Sequence, residues 1–127
     1  MASDITGVDF VALSVSDLHK ATEFYADTLG LHRSTFLPDR GFSEYETGNL
    51  TIGVMNGEQA GLGHRVAAYP IALHVDDVAK TRADLEAKGV PFEGDILDTG
   101  VCHMAFFKDP DGNPLMLHHR YAPRKAE

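Results

Sequence analysis

Residues 11–31, VALSVSDLHKATEFYADTLGL, recur in altered form at residues 71–90, IALHVDDVAKTRADLEAKGV. Ala12/Ala72, Leu13/Leu73, Val15/Val75, Asp17/Asp77 and Lys20/Lys80 are identical pairs 60 residues apart, and Gly30/Gly89 keep step after one skipped residue. Such a repeat makes the chain two copies of one supersecondary unit, which confines it to internally duplicated architectures.

Each copy opens on a short apolar stretch, residues 11–15 and 71–75, rich in β-branched side chains and so predicted to be a strand. Ser16 or Asp17, and Asp76 or Asp77, then stand where a side chain can cap the free N–H groups of a helix, with carboxylates also favoured by its dipole. Leu18, Ala21, Tyr25 and Leu29 form an apolar stripe at helical spacing; Val78, the stem of Arg82 and Leu85 do so more weakly. Gly30 and Gly89 fall where a left-handed residue closes a helix. Extended pieces follow at 34–37, 42–47 and 50–55, then at 91–97, 101–108 and 115–119. The fold class is therefore α+β: two tandem βαβββ modules, about 7–56 and 69–121, with mixed sheets and the helices outside. Residues 57–68 read as the linker between them, because their glycines lack the strand-to-helix setting that a phosphate-cradling loop requires.

With 127 residues and 43% hydrophobic content, the chain can bury its own core as one domain. No apolar run approaches the roughly 20 residues that cross a bilayer, and no basic-then-apolar leader opens the sequence, so a cytoplasmic protein with no membrane partner is expected. The lone Cys102 cannot form an internal disulfide and is expected to be an inert buried thiol. A net charge of −8 opposes contact with a phosphate backbone, which excludes nucleic acid as an expected partner, and favours a cationic ligand.

The strand, Asp, "FY" and "LG" of VALSVSDLHKATEFYADTLGL, together with IALHVDD and FFKDPDGN, resemble the vicinal oxygen chelate superfamily of glyoxalases, bleomycin-resistance proteins and extradiol dioxygenases. The resemblance covers nearly the whole chain. It implies curved sheets forming a cleft, usually in a homodimer, and in the metal-dependent members His and Glu ligands on the first and last strand of each module. Such a metal would act as a Lewis acid on two neighbouring substrate oxygens. Carried over residue by residue, those ligand positions fall on Phe10, on Ile52 or Gly53, on Pro70 and on Met116. Phenylalanine, isoleucine, glycine and proline offer no side-chain donor, and a thioether suits soft Cu(I). The resemblance is therefore closest to the metal-free, bleomycin-resistance-like members, and no cofactor is expected.

Strand alternation places Phe10, Ala12 and Ser14 on one face of the first module, and Pro70, Ala72 and His74 on the matching face of the second. If residues 110–112 close the last hairpin, Met104 faces His118 and Phe106 faces Met116; Cys102 would share their face, with His103 and His119 pointing away. A one-residue change of turn would bring His103 inward. The candidate ligand-binding residues are thus Phe10, Ser14, His74, Met104, Phe106, Met116 and His118. Three roles are open for the histidines: an alternative divalent metal site on His74, His103 and His118, acid/base catalysis by His74 or His118, or hydrogen bonding to a ligand. His19, on the polar side of the first helix, and His32 and His64, in loops, read as surface residues and Glu44 as a strand-edge charge. Asp109 and Asp111 read as turn formers, and Asp95 and Asp98 as loop charges. The expected function is binding of a small organic molecule, aromatic or cationic, for resistance or sequestration. The alternatives are a lyase, isomerase or dioxygenase-like enzyme, and a scaffold whose side chains fill the cleft.

Overall fold

A computed structural model describes residues 3–124. It divides into two compact units, Met1–Arg65 and Val66–Glu127. The first holds β1 (Phe10–Val15), α1 (Leu18–Thr22), β2 (His32–Leu37), β3 (Phe42–Glu46) and β4 (Thr51–Asn56); the second holds β5 (Ile71–His74), α2 (Val78–Ala87), β6 (Glu93–Asp98), β7 (Cys102–Lys108) and β8 (Pro114–Arg120). Each unit is one mixed four-stranded sheet, in the order β1-β4-β3-β2 or β5-β8-β7-β6. In both, the first strand pairs in parallel with the last and the other neighbours are antiparallel. The expected α+β pair of βαβββ modules is what forms.

The local signals act where expected. Asp17 accepts hydrogen bonds from the backbone N–H groups of His19 and Lys20, and Asp77 from that of Lys80. Those bonds to the ionised form hold the Asp17 carboxyl below its usual range, with the N–H of Lys20 the largest cause. Gly30 and Gly89 have φ of 75° and 91°, the left-handed region a β-carbon disfavours. One departure lies in the first helix, where Glu23–Thr28 continues α1 as a π-helical turn. Tyr25 in that turn is fully buried, its ring 5.4 Å from that of Tyr45.

Alternation then assigns the faces. In the first module Leu13, Val15, Tyr45, Ile52 and Val54 are buried with Leu18 and Ala21 of the helix. In the second, Ala105, Phe107, Leu115 and Leu117 are buried with Val78 and Leu85. Each fully covered Leu contributes roughly 1.5–3 kcal/mol. Both cores therefore lie on the helix side of their sheets, and the opposite faces carry the half-buried and polar alternates. The Tyr45 hydroxyl is buried in its core with no hydrogen-bond partner among the described residues. Tyr45→Phe is expected to remove that desolvated group and stabilise the fold by about 1 kcal/mol, raising Tm by about 3–5 °C in a calorimetric scan.

Two sequence expectations are corrected. Asp95 and Asp98 are not loop charges but lie in β6, an exposed edge strand whose pairing to β7 is interrupted between Glu93 and Leu97. A polar edge strand with a bulge has no alternating apolar face, so its pattern cannot be distinguished from a loop. His32 likewise opens β2 and is exposed there.

Candidate functional site

The helix-free face of the second module is set by the last hairpin. Asp109 accepts from the backbone N–H of Asp111 (3.0 Å) and of Asn113 (2.8 Å), and its second oxygen accepts from the Asn113 side chain (2.8 Å). This buried clamp fixes a turn that places Met104 opposite His118, Phe106 opposite Met116 and His103 opposite His119. Met104, Phe106, Met116 and His118 consequently share a half-buried face with Cys102, whose thiol is buried 3.0 Å from the Thr99 hydroxyl. His103 falls on the other side with Ala105 and Phe107. The trio His74, His103 and His118 is thus divided between two faces of one sheet and does not converge.

In the first module the corresponding face carries Phe10, Ala12 and Ser14, with Gly53 and Met55 beside them on β4. The alignment ambiguity at the fourth strand is resolved: Ile52 belongs to the core, and Gly53 shares the face of Ala12. The Phe10 ring leans over Gly53, and a β-carbon there would stand 3.3 Å from Phe10 Cδ1. Ser14 is not an open hydroxyl, since its Oγ lies 2.8 Å from His64 Nδ1. His64, expected as a surface residue, is therefore a neighbour of this face. Glu44 and Glu46 also point to it, because their alternates Ser43 and Tyr45 fill the core. Glu46 accepts from the hydroxyls of Ser34 and Thr51, and these bonds, Ser34 first, hold its carboxyl below the usual range.

A metal held in the manner the resemblance implies does not fit these residues. Phe10, Gly53 and Pro70 present no side-chain donor, and Met116 presents only sulfur. The family model of the Glyoxalase/Bleomycin resistance protein/Dioxygenase superfamily matches residues 7–117. The chain belongs to this superfamily. It is 31% identical over 119 residues to "Probable lactoylglutathione lyase" of Vibrio cholerae, covering 83% of this chain and 84% of that one. The Bacillus subtilis protein YraH is 28% identical over 120 residues, covering 85% and 94%. The solved structure of TnmS3, an antibiotic binding protein from Streptomyces sp. CB03234, shares the fold, with a TM-score of 0.80 at 24% identity over 94% of this chain and 99% of that one.

This superfamily member also has a polar end on the helix side of its second module. His103 Nε2 stands 3.4 Å from Asp98, and its ring centroid is 4.9 Å from that of Tyr121. The Tyr121 hydroxyl donates to Asp98 at 2.8 Å. The N–H of Gly100 and then the Tyr121 hydroxyl hold the Asp98 carboxyl below its usual range, while Asp98 raises the Tyr121 phenol. Nearby, His74 behaves differently from its strand position. Its Cα is in register with His118, yet its ring centroid lies 5.9 Å from that of His119, and its Nε2 is 3.4 Å from Asp76. The ladder to β8 continues through the Val75 N–H to the His118 carbonyl at 3.0 Å and fixes the backbone here, but the ring's own torsions are set by its contacts. Sequence periodicity therefore missed Asp76, His119, His64 and Tyr121. The adjacent pair His118–His119 was the available signal, because one of any two successive strand residues must face the helix side.

Proposed function

We propose that this superfamily member binds a small organic molecule, aromatic or cationic, on the helix-free faces of its sheets. The binding needs no metal at the family's ligand positions, and the protein acts as a cytoplasmic homodimer in a resistance or sequestering role. The observation that supports this is the exchange of donors for hydrocarbon and thioether: Phe10 over Gly53 on one face, and Met104, Phe106 and Met116 on the other. On either face by itself, apolar and aromatic side chains with a polar point suit a ligand held by contact area and oriented by hydrogen bonds. Ser14 with His64 supplies that point on the first face, and His118 on the second. Glu44, Glu46 and the net charge of −8 favour a positive group on the ligand. The likeness in fold to an antibiotic binding protein agrees with a binding role.

A thermal-shift screen of aromatic and cationic compounds on chelator-treated, tag-free protein tests the reading. A compound specific to the folded state raises stability by about 2.7 kcal/mol at 100 times its Kd. Phe106→Ala and Met116→Ala should each weaken a hit, by about tenfold per 1.4 kcal/mol of lost contact. A uniformly flat screen would instead mean that these side chains pack into a scaffold with no ligand. The similarity to the Vibrio cholerae protein favours a second reading, a lyase or isomerase with His74 or His118 as acid/base. That reading requires turnover that survives chelation and is lost in His74→Ala or His118→Ala.

A further inference from the structure

Among the described residues, His74, Asp76 and His119 come together so that one donor atom of each lies within 4.8 Å of the others. We propose that these three side chains form a divalent transition-metal site, with Zn2+ as the reference ion, away from the positions the superfamily uses for ligands. Two imidazoles and one carboxylate are a donor set that borderline ions accept while keeping positions open for water or a further ligand.

One of the three donor separations already matches that around a bound ion. Donors on one tetrahedral zinc, each about 2.0–2.1 Å from it, stand roughly 3.4 Å apart. His74 Nε2 and Asp76 Oδ1 are separated by 3.4 Å. The remaining adjustment falls to mobile groups, since the side chains of His74 and Asp76 are 71% and 101% exposed. An exposed His–Asp ion pair alone contributes little and gives His119 no reason to join it. The His119 ring is a different case. Its Nδ1 is buried and has no hydrogen-bond partner among the described residues. An ion bound at this ring would fix its tautomer, one nitrogen taking the metal and the other the proton.

What such an ion could meet is also visible. A hollow of about 430 Å3 at the start of α2 shares Asp76 and His119 with the cluster and reaches His103 and Ile96. An open coordination position on that side admits water or a small oxygen or nitrogen ligand, with the His103 imidazole in the wall. The Asp98 carboxylate and the Tyr121 ring hold that imidazole in place.

The test is titration of tag-free, full-length protein with Zn2+ by calorimetry, and with Co2+ by visible absorbance, which reports coordination geometry. One equivalent is expected to bind, and His74→Ala, Asp76→Asn and His119→Ala should each weaken binding at least tenfold. The first two changes are at exposed side chains, so they remain informative if His119→Ala fails to fold. Binding that is undiminished in all three variants, or no binding at millimolar ion, overturns the proposal. Loss in His118→Ala with none in His119→Ala overturns it as well, by moving the ion to the helix-free face. The ligand screen uses chelated protein, so either inference can fail without the other.

Discussion

Asn113→Ala is expected to destabilise the protein by about 2–4 kcal/mol, one of its costliest single truncations. Asn113 is fully buried, its amide donates to Asp109 Oδ2 at 2.8 Å, and its Oδ1 accepts from the backbone N–H of Ala67 at 2.8 Å. Truncation takes one buried hydrogen bond from the Asp109 carboxylate and one from the Ala67 N–H, each loss costing about 1–3 kcal/mol. The same residue therefore closes the turn from Asp109 and tethers the chain entering β5. Urea unfolding should show the midpoint falling with an unchanged slope, as for a loss of stability without change in the denatured state. Pro110→Ala, at an exposed position of the same turn, should cost less than about 1 kcal/mol. Equal losses in the two variants would mean that the clamp is not what stabilises the turn.

Gly57→Ala is the second large effect, at about 1–3 kcal/mol or more, and it acts by crowding. Gly57 is buried, and a β-carbon there would fall on the Gly63 carbonyl oxygen and the Ser14 hydroxyl. Neither neighbour is the free end of a long side chain. The backbone of residues 57–63 would have to move outward, and His64 would leave Ser14 with it. Gly7→Ala provides the contrast, because nothing lies within 4 Å of its new carbon. Thermal melting should show a fall for Gly57→Ala alone. A ligand found in the screen should also bind Gly57→Ala more weakly, through the displaced Ser14–His64 pair.

The modules were legible because their signals are local and doubled. Capping Asp17 and Asp77 and the closing glycines mark both helices; the sequence leaves the last hairpin two registers, and the buried Asp109–Asn113 clamp selects the one with a three-residue loop, which then assigns every face on β7 and β8. The resemblance carries the family's ligand positions to Phe10 and Met116, through their spacing from Asp17 and Gly112. What escaped depends on forces that phase does not encode. Strand phase sets the backbone at His74, but contacts with Asp76 and His119 direct its ring. β6 loses its pattern at an edge with an interrupted ladder. His64 reaches Ser14 through a loop whose path is set by the close approach of Gly57 to Gly63. The π-helical turn at Glu23–Thr28 keeps the apolar stripe of an ordinary helix, so nothing in the spacing announces it.

The contact between Phe10 and Gly53 constrains how this lineage could change. A ligating side chain at residue 53 would first have to push the aromatic ring aside, and a histidine at residue 10 would face a neighbour with no side chain at all. Either substitution alone loses packing and gains no coordination. Placing donors at both residues would thus require paired changes with an unfavourable intermediate, a fitness valley that keeps ligation away from this face of the first sheet.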